Sequence, residues 1–263
     1  MKKLSAILVF VAVLASCERD YENHYTVRRL SVFEESNVDG TSKRVDTYTY
    51  HDDGYSVEST LDGEVTSVVR HRDVGDSLVV TTSVASEGSL VLFSTAVTTY
   101  VNEYRANISA VKTIYADGSP IRLESYVYEG SVCTITVTVG GMPVSMREVS
   151  DINNGTSIST YDYDPGAGEW VYSGREDVVY SDFLRTNLTS RNTYDAEDVL
   201  VSSELYSYDN ETTTVITYEK NIPTLKSVYV STGPRIVFQR YKSEGGPWVA
   251  TSVGSYLYEY VTI

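Results

Sequence analysis

The stretch Ile121-Arg122-Leu123-Glu124-Ser125-Tyr126-Val127-Tyr128-Glu129-Gly130-Ser131-Val132-Cys133-Thr134-Ile135-Thr136-Val137-Thr138-Val139 decides the fold. Ile121, Leu123 and Val127 oppose Arg122, Glu124, Tyr126 and Tyr128; beyond Glu129-Gly130, Cys133, Ile135, Val137 and Val139 oppose Thr134, Thr136 and Thr138. A period of two is that of a β-strand, and an acid-Gly pair between two such runs tolerates the positive φ of a tight hairpin. Leu78, Val80, Thr82 and Val84 oppose Ser77, Val79, Thr81 and Ser83 in the same way. Glycines in turn-forming contexts fall at Gly40, Gly54, Gly63, Gly75, Gly88, Gly118, Gly130, Gly141 and Gly155. Apart from the step between Gly88 and Gly118 they are about 9 to 14 residues apart, the rhythm of an antiparallel meander. That long step exceeds one strand, so another turn belongs near Asn102 or around Arg105-Ala106-Asn107.

The rest of the chain agrees. Val, Thr and Tyr, residues that fit a pleated and half-buried surface, make up about a third of the 263 residues. Outside the N-terminal segment no window carries an apolar stripe at helical spacing. The best helix candidate, Ala196 to Ser207, contains Val199-Leu200-Val201 among β-branched neighbours and suits a strand better. The expectation is an all-β chain: a long antiparallel meander of about 16 to 18 strands, forming a barrel-like or a large open sheet.

The N-terminus stands apart from this pattern. Lys2 and Lys3 precede Leu4 to Ala15, which is apolar except for Ser5 and too short to span a bilayer core of about 20 helical residues. It reads as a secretory signal. Leu14-Ala15-Ser16-Cys17 resembles the lipobox of bacterial lipoproteins, and that resemblance makes residues 1-16 a cleaved signal peptide and Cys17 the lipid-modified first residue of the mature chain. Glu18 follows where Asp retains enterobacterial lipoproteins in the inner membrane, so the resemblance implies outer-membrane sorting, at the periplasmic or the cell-surface face. Residues 17-25 read as a lipidated acidic tether and 26-263 as a single all-β repeat domain. With Cys17 assigned to lipid, Cys133 has no intramolecular partner; it reads as a small hydrophobe, since nothing basic lies near it in sequence to lower its pKa.

Two elements recur. Tyr163-Asp164-Pro165-Gly166-Ala167-Gly168-Glu169-Trp170-Val171 aligns with Tyr241-Lys242-Ser243-Glu244-Gly245-Gly246-Pro247-Trp248-Val249, and these hold both tryptophans. Tyr-x-Tyr precedes an acid-containing turn at Tyr48/Tyr50, Tyr126/Tyr128, Tyr161/Tyr163 and Tyr206/Tyr208. These elements resemble the Tyr-Asp repeats of Rhs-like β-meanders and, more closely, uncharacterised bacterial outer-membrane lipoproteins with a porin-like fold. The resemblance covers roughly residues 26-263 and implies a fold, not an activity. The chain departs from it where the glycine expected after Tyr194-Asp195 is replaced around Asp198, and where the N-terminal half lacks a Trp-Val unit.

Chemistry is sparse. With 36 Asp+Glu against 21 Lys+Arg and a net charge of -15, the chain repels phosphate backbones, so nucleic acid is not expected as a partner. His24, His51 and His71 lack zinc-site spacing, and His51-Asp52-Asp53 and His71-Arg72-Asp73 read as solvated turn residues. Asp162, Asp164 and Glu169 lack the register of a calcium loop. No nucleophile motif or phosphate loop appears, so no catalytic residue, metal or cofactor is assigned and the chain is read as no enzyme. What remains is tyrosine, an aromatic with a wet end that can stabilise cross-strand pairs or stack on sugars. The expected function is a lipid-anchored outer-membrane or surface protein with a structural or interaction role. Two alternatives stand beside it: a surface glycan-binding lipoprotein whose ligand contacts are Trp170, Trp248, Tyr163 and Tyr241, and a transmembrane barrel. Expected partners are the membrane, through the lipid, and a glycan or another surface protein.

Overall fold

The computed structural model describes residues 18–19, 25–102, 105–182 and 184–262. Strand β1 is the two-residue pair Glu18–Arg19. The rest of the described chain is a run of strands joined by tight turns and short loops, and it divides into three six-strand units. The first holds β2 (Tyr25–Asn37), β3 (Lys43–His51), β4 (Gly54–Leu61), β5 (Glu64–Val74), β6 (Ser77–Ser86) and β7 (Ser89–Tyr100). The second holds β8 (Ile108–Tyr115), β9 (Arg122–Glu129), β10 (Val132–Val139), β11 (Met142–Ile152), β12 (Gly155–Asp164) and β13 (Glu169–Tyr180). The third holds β14 (Leu188–Tyr194), β15 (Leu200–Asp209), β16 (Thr212–Glu219), β17 (Ile222–Thr232), β18 (Arg235–Lys242) and β19 (Val249–Thr262).

Each of these eighteen strands pairs antiparallel with its neighbours in sequence, and β19 returns to pair with β2 from Ser252↔Asn37 to Thr262↔Thr26. The meander is therefore a closed barrel of an even number of strands, without a free edge along most of its wall. No helix occurs among the described residues. The Ala196–Ser207 segment contributes most of β15, as its β-branched content requires, and the step from Gly88 to Gly118 is broken by the loop between Tyr100 and Ile108.

The turns obey local chemistry. Asp62 and Gly63 both take positive φ, Gly118 and Gly130 do so after their acids, and where the expected glycine is absent Asp198 itself adopts φ 58. Asp carboxylates then cap the loop amides: Asp117 accepts from Ser119 N at 2.9 Å, and Asp195 from Glu197 N at 3.1 Å and Val199 N at 2.9 Å.

The six-strand period is visible in repeated contacts. Tyr50, Tyr128 and Tyr208 each donate to a carbonyl 20 residues earlier, on Leu30, Ile108 and Leu188. Arg105 and Arg185, at φ 53 and 57, close equivalent loops. Arg105 binds Asp73 and the carbonyl of Gly75; Arg185 binds Asp151 and the carbonyl of Gly155. Arg28 reaches Gly233 O in the third copy, where the chain comes in from its N-terminus. All these groups lie at the rim where β2 starts and β19 ends.

Candidate functional site

Following the register round the wall places Leu30, Phe33, Ile135, Val137, Val178 and Phe238, the buried apolar side chains among the described residues, on one face. Contacts that skip a strand lie on this same face. Phe33 stacks on Phe238 at 5.9 Å and Arg240 pairs with Glu35, both across β19, while Arg147 reaches Glu124 across β10. Side chains meet over an intervening strand where the wall curves toward them, so this face is the lumen.

The lumen lining is layered. At the closure seam, Phe238 is 1% exposed and packs against Phe33, Tyr229 and Tyr256 at 5.5 to 5.9 Å. Toward the far rim lie ion pairs: Arg44 with Asp46, Arg122 and Arg147 with Glu124, and Arg191 between Glu176 and Glu204. Toward the chain-entry rim stand the tyrosine pairs of β3, β9 and β15. Burial beside Asp46 and Glu124 pushes the phenols of Tyr48 and Tyr126 up to about 12, and burial near Tyr229 does the same to Tyr256. Among the described residues no hydrogen bond, ion pair or ring contact joins opposite walls; a circular ring of 18 strands is about 35 Å across.

The outward face is different. Glu58, Arg70 and Lys112 stand exposed in mid-strand there, and Glu34, Glu148 and Lys226 are half-buried beside many Ser and Thr. Val65, Ile114, Val127, Leu205, Val237 and Leu257 are exposed between them, so apolar residues are interrupted by charge in every unit. Charge thus lies on both faces of the wall, as ion pairs in the lumen and as single mid-strand groups outside.

The proposed ligand residues form two separate places. Tyr163 and Trp170 are cross-strand partners beside the Asp164–Glu169 turn, with rings edge to face at 5.1 Å. Asp164 holds that turn by accepting from Gly166 N at 2.8 Å. Trp248 lies just before β19, half-buried, and Tyr241 pairs with Ala250 instead, its hydroxyl donating to Gln239 at 2.8 Å. Both units sit at the rim away from the chain entry, on the outward face and six strands apart.

Other expectations meet mixed outcomes. His71 is not a solvated turn residue: it sits within β5 on the lumen face, stacked on Tyr55 at 4.3 Å, because the strand runs on to Val74. Burial lowers its pKa. Tyr161 and Tyr163 face outward, while the other three Tyr-x-Tyr pairs face the lumen. Cys133 is a free, half-buried thiol on the lumen face, paired with Tyr128 and Val149. Among the described residues no three metal-ligating side chains converge. Cys17 and the signal segment lie outside the described residues. The Arg and acid network of the lumen escaped sequence reasoning, although Arg44-x-Asp46 and Arg122-x-Glu124 carry the same spacing.

No protein-family model matches the chain, and no curated protein matches it. Among solved structures, a porin-like protein from Bacteroides uniformis is 12% identical, with a TM-score of 0.45 over 88% of this chain and 98% of that one. A transferrin-binding protein B variant from Haemophilus parasuis is 8% identical, with a TM-score of 0.23 over 93% of this chain and 77% of that one. At these values the likeness brings no ligand, activity or partner with it.

Proposed function

We propose that the protein is a lipid-anchored, non-catalytic barrel of the outer membrane or cell surface, with a structural or interaction role. The observation that carries this reading is the polarity of the wall. A spanning barrel needs an unbroken apolar band toward lipid; here Glu58, Arg70 and Lys112 interrupt the outward face in mid-strand. A wall of this kind rests in water, so membrane attachment falls to the lipobox-like Leu14-Ala15-Ser16-Cys17. One saturated chain gives marginal binding, whereas the several chains of a modified lipoprotein cysteine anchor stably.

The tether joins the barrel at the start of β2. That rim therefore faces the membrane, and the Trp170 and Trp248 hairpins face away from it. Metabolic labelling with a fatty-acid analogue tests the anchor: the wild-type chain takes up label, and a Cys17→Ser chain that is still labelled refutes it.

A second reading is favoured by one observation, the edge-to-face Tyr163–Trp170 pair beside a Gly-rich turn. Such a pair, at the rim remote from the tether, offers an aromatic face to a sugar. Glycan-array binding by the soluble Cys17→Ser chain separates the readings: binding lost in Trp170→Ala supports the glycan reading, and no binding by the parent leaves the aromatic pair a staple of its hairpin.

A further inference from the structure

Three places in the wall are built alike and joined more weakly than the rest. β3 pairs with β2 only over Lys43–Thr47, β9 with β8 only over Arg122–Ser125, and β15 with β14 only over Leu200–Leu205. The remainder of each strand, Tyr48–His51, Tyr126–Glu129 and Tyr206–Asp209, keeps its full ladder with the strand on the other side. Toward β2, β8 and β14 the ladder stops and the two strands fork apart.

In each fork one side chain crosses the gap. The hydroxyl of Tyr50 donates to Leu30 O at 2.9 Å, that of Tyr128 to Ile108 O at 3.0 Å, and that of Tyr208 to Leu188 O at 2.9 Å. Each bond serves a carbonyl that lies beyond the end of the ladder. The three forks are six strands apart, so they divide the wall into thirds, and all open toward the rim where the chain enters.

We propose that the forks are three side openings of the lumen, each held shut by its tyrosine strap. A segment joined to its neighbour by one side-chain hydrogen bond, to which the first fork adds the Arg29 guanidinium over the Tyr50 ring at 4.9 Å, belongs to the low-stability end of a fold and opens locally long before the barrel unfolds. When a strap swings away, its fork connects the tyrosine-lined end of the lumen with the solvent beside the wall. The remaining ladders of the eighteen-strand wall, each with more paired residues than those at the forks, hold the thirds together.

The straps are tested by amide hydrogen exchange on the full chain. Single Tyr→Phe variants at positions 50, 128 and 208 and the triple variant keep the rings but remove the donor. The expected result is exchange at least tenfold faster at the fork beside each replaced tyrosine, with the β5–β6 ladder unchanged. In a Cys17→Ser background, the lumen-facing Cys133 opposite Tyr128 should react faster with a thiol reagent in Tyr128→Phe and not in Tyr50→Phe. Unchanged exchange in the triple variant overturns the proposal. So does a rise spread evenly over the wall, because the hydroxyls would then be general staples rather than local straps.

Discussion

Phe238 lies across Gly254, its cross-strand partner in the last hairpin: a Cβ at position 254 would stand 2.5 Å from the ring Cζ and 2.1 Å from the carbonyl oxygen of Glu34. The glycine is therefore what lets the Phe238 ring lie flat over β19 and reach Phe33 on β2. The seam that closes the barrel is fastened by aromatic packing on its lumen side and by the long β19–β2 ladder.

The Phe238–Gly254 relationship sets the first expectation. Gly254→Ala must push backbone as well as ring, and overpacking of this kind costs about 1–3 kcal/mol. Phe238→Ala empties a position that is only 1% exposed and should cost about 3–5 kcal/mol. Urea unfolding of both variants checks this. Losses below about 0.5 kcal/mol would mean that the seam is not held by this cluster.

The tryptophans should part company in stability. Trp170 has an edge-to-face ring partner in Tyr163, whereas among the described residues no such ring contact is found for Trp248. Trp170→Ala should lower the unfolding free energy by about 0.5–1.5 kcal/mol more than Trp248→Ala, the contribution of an aromatic pair beyond its area. Thermal denaturation of the two variants decides; equal losses contradict the assignment.

Alkali should loosen the lumen in a defined window. Tyr48, Tyr126 and Tyr256 have folded-state pKa values raised to about 12 against an ordinary 10.0, by burial first and nearby charge second. A raised pKa means that the folded state holds the proton more tightly. The stabilisation is fully present below pH about 10 and is lost as pH rises toward about 12. Phenolate absorbance should show these groups titrating late, with the melting temperature falling over the same range. Titration of every tyrosine near 10 would contradict the burial of these rings.

Local rules made the strands and turns legible from residues. Alternation in Val132–Val139 and the acid-Gly turns each depend on a few neighbouring residues, so the meander and its approximate strand number could be read directly. Closure could not: the pairing of Tyr25–Asn37 with Val249–Thr262 joins the two ends of the chain, and no local pattern announces it. Gly254 was silent for the same reason, since its partner Phe238 becomes a neighbour only once β18 and β19 are zipped. The six-strand period lay open in the spacing of Tyr50, Tyr128 and Tyr208, about 80 residues apart. It was obscured by the outward pair Tyr161/Tyr163, which copies the motif on the wrong face, and by Leu92-Phe93 in the first unit, where the other two units carry Trp-Val. The candidate ligand residues were legible as a repeat, but only the wall's geometry shows that the two copies stand a third of the circumference apart.

The most direct measurement is membrane fractionation of the wild-type chain and Cys17→Ser, with an alkaline carbonate wash. A water-facing barrel held only by lipid predicts wild-type protein in the membrane pellet, and mature Cys17→Ser protein, once freed of its signal segment, in the soluble fraction with its all-β circular dichroism intact. Folded Cys17→Ser barrel that stays in the pellet after signal removal and the wash would mean that the wall itself sits in the bilayer, contradicting the account.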